Sequence, residues 1–242
     1  PEVIDIHCIK LCRQLHESVS LVQVPSSRGS QTVVMKALTS YPKYLYHELK
    51  LLLTLPPHPA IISRPRHIVT KKCGFGGKTA VIGFTTKYHP NGSLRDILPF
   101  RRIHGTLCVT DQVKWAIQLT AALIHIHDHG RYYSDLRLDN ILLSVTDDLV
   151  LVDFEQRGVW CGFASPELNY VDYISMLATD SSSPNTMKEK YVKLLERLVP
   201  HYKALLRSEY GNPEHGFSVP WSGLARNELE AAEVFMLGRV LW

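Results

Sequence analysis

The run Tyr133-Ser134-Asp135-Leu136-Arg137-Leu138-Asp139-Asn140-Ile141-Leu142-Leu143, followed after a short turn by Leu149-Val150-Leu151-Val152-Asp153-Phe154, constrains this chain more than any other feature. An acid is followed two residues on by a cation and five residues on by an amide, and a second acid closes an apolar strand. Ile141 to Leu143 and Leu149 to Val152 are short aliphatic runs of the kind that form buried strands. A polar turn with chance acids would not carry such strands on both sides. With 242 residues, 45% hydrophobic and 21% charged, the chain can bury a globular core, which excludes a disordered polymer and favours one domain over an array of small modules.

These residues resemble the protein kinase family, whose catalytic loop reads H-R-D-L-x-x-x-N and whose metal-binding turn reads D-F-G. The resemblance implies an α+β, two-lobed fold. Residues 1–88 would form a small antiparallel-sheet lobe with one helix, and residues 89–242 a mainly helical large lobe, incomplete in this chain, with a helical insertion over 170–225. It implies that Asp135 is the catalytic base, that Asn140 and Asp153 bind Mg²⁺ (or Mn²⁺) and ATP, and that Arg137 replaces the phosphate-contacting lysine of serine/threonine kinases. Tyr133 and Ser134 depart from the His-Arg pair, and Glu155 stands where the family has glycine. Glu155 either locks this turn, the reading we favour, or adds a carboxylate to the metal shell.

In the small lobe, alternation and β-branched residues predict an antiparallel hairpin of Val19–Val24 and Thr32–Lys36 around the turn 25–30. A helix follows, with Ser40 as cap, Pro42 in its first turn, and Leu45, Leu49, Leu52 and Leu53 as one apolar stripe. Glu48 lies at the edge of that stripe, facing the sheet, where a carboxylate needs a cation. The resemblance makes Lys36 that partner, holding nucleotide phosphates, although a surface pair of Glu48 with Lys43 or Lys50 is the plainer alternative. No glycine occurs from His16 to Gln23, where the family has G-x-G-x-x-G, so His16, Ser18 and Leu21 should hinder close approach of backbone to phosphate. By the same match Thr86 is the gatekeeper, and the backbone of Lys87, Tyr88 and His89 meets the adenine edge.

In the large lobe, a core helix opens at Thr110 or Asp111 and runs through Trp115, Ile117, Leu119, Leu123, Ile124 and Ile126. His125, His127 and His129 suggest a metal site by spacing, but a helix C-terminus with a Gly130 cap explains them more simply. Ala164-Ser165-Pro166-Glu167 resembles the A-P-E terminator. The span back to Asp153 is short and Ser134 replaces the loop arginine, so switching by activation-loop phosphorylation is not expected. An amphipathic basic helix is predicted over Met187 to Ser208, after a loop over 180–185, and its likelier fate is packing on the large lobe rather than binding a partner or membrane. Asn227 to Trp242 resembles the buried central helix of the large lobe, with Glu233 in place of aspartate. A start at Pro1 and an end at Trp242 inside an apolar helix suggest a fragment. The insertion, the glycine-free turn and Trp160-Cys161-Gly162 are similar to divergent kinase-like proteins of filamentous fungi.

A formal net charge of +4 without a run of like charges gives no sign of a nucleic-acid-binding arm. Five scattered cysteines lack zinc spacing and read as free thiols of an intracellular protein, cytoplasmic or nuclear. No apolar run approaches the roughly 18 residues of a membrane span. The resemblance implies a nucleotide and a protein substrate as partners. It leaves three functions open: a phosphotransferase using ATP and Mg²⁺ on a protein hydroxyl (serine or threonine more than tyrosine), a pseudokinase serving as a binding module, and a small-molecule kinase.

Overall fold

The computed structural model describes residues 1–27, 29–38, 41–74, 76–182, 184–207 and 216–242. Strands β1 (Glu2–Asp5), β2 (Lys10–His16), β3 (Val19–Ser26), β4 (Gly29–Ala37), β5 (His67–Lys72) and β6 (Thr79–Lys87) form one sheet in the order β1-β5-β6-β4-β3-β2. The expected hairpin is β3 with β4, Val19 pairing with Lys36. Its alternation sorts the side chains: Val22, Val24, Val33, Met35 and Val69 pack on one face. Lys36 lies on the other, opposite Phe84 of β6, because directly paired residues share a face.

One expectation is corrected here. The sheet is mixed, because β1 runs parallel to β5, Val3 pairing with Ile68. The four-residue strand and the fully exposed β2 carry almost no burial pattern, so periodicity could not reveal them.

Helix α1 (Pro42–Thr54) lies against the Phe84 face and buries Leu45, Leu49 and Leu52 in the main core. Its N-cap is Tyr41, without a side-chain hydrogen bond; the expected cap, Ser40, lies outside the described residues. The linker after α1 touches the large lobe before the chain returns to β5. Ile62 N–H donates to Leu151 O at 2.9 Å and Leu151 N–H to Ala60 O at 2.8 Å, fixing the linker after α1 to the strand that leads to Asp153.

The large lobe contains α2 (Leu94–Ile103), α3 (Val109–Asp128), a 3₁₀ turn at Leu138–Asn140, and the hairpin β7 (Ile141–Leu143) and β8 (Leu149–Leu151). Then come α4 (Pro166–Thr179), α5 (Asn185–Leu198), α6 (Tyr202–Arg207), α7 (Val219–Ser222) and α8 (Arg226–Leu241). Trp115, Leu119, Leu123 and Ile126 of α3 join Tyr133, Leu136, Phe154, Trp221 and Met236 in the core that also holds α1. The lobes therefore share one apolar core.

The helices differ from expectation in three places. Ile117 and Ile124 of α3 are exposed, so that helix is apolar beyond the face it buries. The basic segment forms two helices, because Pro200 has no N–H to continue α5; Leu195, Val199 and Tyr202 pack against Ile174 and Ala178 of α4, and Leu198 points outward. Helix α8 buries Leu229, Ala232, Glu233 and Met236 but exposes Val234 and Phe235, so it is buried on one side only.

Candidate functional site

The site forms where β4, α1, the loop carrying Asp135 and Asn140 and the segment after β8 meet. Lys36 Nζ lies 2.6 Å from Glu48 Oε2, 2.6 Å from Asp153 Oδ1 and 3.0 Å from Glu155 Oε1. Glu48 is buried as expected, and Lys43 and Lys50 are not its partners. Its second oxygen accepts the backbone N–H of Phe154 at 3.0 Å. Burial alone would lower the Lys36 pKa, but the charges of Glu48, Asp153 and Glu155 outweigh it and hold the ammonium protonated. Burial likewise works against an ionised Asp153, and Lys36 overcomes it, keeping that carboxyl below its ordinary value. For Glu48 burial prevails and its carboxyl is raised.

Asp153 adopts φ 62°, a left-handed conformation that costs a non-glycine residue about 1–2 kcal/mol. Phe154 anchors the turn, buried with its ring edge-on to Tyr133 at 5.1 Å. In the same segment Gln156, at φ 50°, is left-handed as well, and Glu155 between them is not. Position 155 therefore demands no glycine geometry, and what Glu155 brings is a buried carboxylate toward Lys36, its other oxygen paired with Arg157. One oxygen each from Glu48, Asp153 and Glu155 lie within 4.8 Å of one another. Hard oxygen donors so grouped suit Mg²⁺ in chemistry, and Lys36 sits among them.

Asp135 and Asn140 are tied together. Asn140 Nδ2 donates to Asp135 Oδ2 at 3.0 Å and to its backbone O at 2.9 Å. Val152 N–H donates to Asn140 O at 2.9 Å, which sets Asn140 beside the strand end that carries Asp153. Arg137 Nε lies 3.3 Å from Asp135 Oδ1, and its guanidinium covers the Trp160 ring at 5.0 Å. Burial raises Asp135 to about 6 against the pull of Arg137.

Beneath this loop, Glu233 of α8 accepts the Tyr133 backbone N–H at 2.6 Å and pairs with the His127 ring. His125 meets Pro56 O at 3.0 Å and stacks on His58, contacts that pack the end of α3 against the segment after α1. Thr86 shares the Lys36 face through its pairing with Val34. Lys87 ends β6, Tyr88 is partly buried, and His89 is buried, which lowers its pKa. The glycine-free turn is the two-residue connection Glu17-Ser18, with His16 paired to Val19.

Sequence reasoning missed two contributors. Arg157 pairs with Glu155 and lies over the Tyr44 ring at 4.7 Å. Phe217 packs against Tyr44 and His47 of α1 at 5.1 and 5.4 Å, and its N–H donates to Gln156 O at 2.9 Å. Only the unusual placement of a charge two residues after Glu155 could have flagged the first, and no local pattern announces the second.

Residues 22–163 match the family described as protein kinase domain, and the chain belongs to it. Among relatives, the chain is 26% identical to serine/threonine-protein kinase VHS1 of Saccharomyces cerevisiae over 145 residues, covering 60% of this chain and 29% of that protein. It is 28% identical to serine/threonine-protein kinase SIK1 of Rattus norvegicus over 136 residues, 51% of this chain and 16% of that protein. It is 30% identical to serine/threonine-protein kinase OXI1 of Arabidopsis thaliana over 77 residues, 31% of this chain and 18% of that protein. The matched part thus spans less than a third of each of these relatives. They bear on the family and not on the narrower fungal likeness. No helix among the described residues is long and apolar enough to cross a membrane.

Proposed function

We propose that this protein transfers the γ-phosphate of ATP, with Mg²⁺, to a serine or threonine hydroxyl of a protein. The observation that carries this reading is Lys36 at 2.6 Å from both Glu48 and Asp153, which joins strand, helix and metal-turn residue in one cleft. Lys36 would hold the α- and β-phosphates. Asn140 and Asp153 would hold Mg²⁺, which when bound neutralises charge on the transferred group. Thr86 and the backbone of Lys87, Tyr88 and His89 would border the adenine. Asp135, kept in place by Asn140, orients the acceptor hydroxyl and takes up its proton. Arg137 lies close enough to Asp135 to stabilise charge at the transferred phosphoryl. Residues 1–88 and 89–242 are the two lobes in this reading, with 170–225 as the insertion.

The names of the three relatives support serine/threonine specificity. Five exposed cysteines, none in a disulfide, favour a reducing intracellular setting, cytoplasmic or nuclear. The decisive experiment is label transfer from radiolabelled ATP to a mixed panel of proteins and metabolites. Asp135→Asn should abolish transfer yet leave nucleotide binding largely intact; undiminished turnover would refute the role of Asp135.

A second reading, a pseudokinase that binds partners without catalysis, is favoured by Glu155 on Lys36 and by the glycine-free turn Glu17-Ser18. It prevails if no label is transferred and neither ATP with Mg²⁺ nor ADP shifts thermal melting.

A further inference from the structure

An ammonium offers three N–H donors, and Lys36 has three carboxylates around it: Glu48 and Asp153 at 2.6 Å and Glu155 at 3.0 Å. Asp153 accepts a hydrogen bond from the ammonium and the other two lie at ion-pair distance, so an arriving phosphate oxygen meets a cation already crowded by carboxylates. The three carboxylates are not equally held. Glu48 is fixed a second time by the Phe154 N–H, and Asp153 lies two residues past the end of the paired strand β8 and accepts a hydrogen bond from Lys36. Glu155 makes the longest of the three contacts, and its second oxygen is in direct ion-pair contact with Arg157. The Arg157 side chain is half exposed and braced on Tyr44, so this pair can persist when Lys36 is given up.

We propose that Glu155 is an internal rival of nucleotide phosphate for Lys36, paired with the ammonium until a phosphate displaces it toward Arg157. The inference rests on the reading of this cleft as a nucleotide site and adds a residue that sets its affinity and its preference for phosphate. The rivalry concerns phosphate alone. Removing the Glu155 charge should strengthen binding of nucleotides and leave binding of the bare nucleoside unchanged, which separates competition from a general loosening of the cleft.

The test is calorimetric titration of the purified chain and of Glu155→Gln with ADP, with ATP plus Mg²⁺, and with adenosine. The dissociation constant for ADP should fall about tenfold in Glu155→Gln, one charge being withdrawn from the ammonium, while that for adenosine stays the same. Equal ADP affinity in both proteins overturns the rivalry and leaves the nucleotide site standing. An equal gain for ADP and adenosine also overturns it, since the phosphate is then not what Glu155 opposes. Failure of both proteins to bind ADP and adenosine overturns the nucleotide-site reading, and the rivalry with it. Glu155→Gly, judged by the same outcomes after thermal melting shows it folded, replaces Glu155→Gln should that variant fail to fold.

Discussion

The backbone N–H of Phe154 donates to Oε1 of Glu48 at 3.0 Å while Oε2 of the same carboxylate holds Lys36, so one side chain fastens α1 to both the sheet and the segment after β8. Glu48→Ala leaves a buried N–H unsatisfied and removes one of three counter-charges from Lys36. Breaking a buried pair costs about 3–5 kcal/mol, and because Asp153 and Glu155 still compensate the ammonium the loss should lie near the lower end. Glu48→Gln keeps an acceptor for Phe154 and should cost less. Urea denaturation of the two variants against the parent checks the order.

The pH dependence follows from Asp135, raised from 3.8 to about 6 chiefly by burial. The folded chain keeps a proton here that the unfolded chain releases, so stability falls as pH rises through that window and stays lower above it. Asp135→Asn removes the penalty and should gain up to about 3 kcal/mol at neutral pH, a gain that vanishes below the unfolded value. Denaturation midpoints measured across the window test the sign.

On the proposed reading of Asp135 as the base, phosphoryl transfer should rise with pH to a plateau with its midpoint near 6. Arg137 lowers the Asp135 pKa, so Arg137→Gln should move that midpoint upward. Rate against pH for the two proteins reads the shift directly.

Gly83 sits on β6 where a Cβ would lie 2.4 Å from the carbonyl oxygen of Lys36. The obstacle is backbone, which cannot rotate away, so Gly83→Ala must push β4 and β6 apart at the lysine itself. A cost of about 1–3 kcal/mol is expected from such overpacking. Thermal melting would show the loss, and a melting curve unchanged from the parent would contradict the close approach.

Phe217 closes the outer side of α1. Phe217→Ala should destabilise by about 3 kcal/mol, as for other buried aromatic truncations, while Phe217→Leu restores most of it. Hydrogen exchange localises the effect: amides of α1 should lose protection in Phe217→Ala before those of β7 and β8.

The residues of the cleft were legible because each has a local signature. Asp135 and Asn140 sit at fixed spacing before a strand, Asp153 closes a strand, and Glu48 interrupts an apolar stripe. Glu155 was recognised as a departure, but its partner was not, since whether a side chain turns to Lys36 or to solvent depends on a fold around it that spacing does not encode. The parallel edge strand β1 and the contact of Phe217 with α1 join segments far apart in the chain, and neither leaves a periodic trace. The basic helix was read as one piece although Pro200 was visible, because the apolar spacing continues on either side of it.

Synthesis runs from the amino end, yet α1 gains Phe217 as a neighbour only after the ribosome has delivered a residue far downstream. Helix α1 thus completes its packing only once that part of the large lobe is in place. A ribosome that stalls before that point leaves a nascent chain whose glutamate-bearing helix lacks this neighbour.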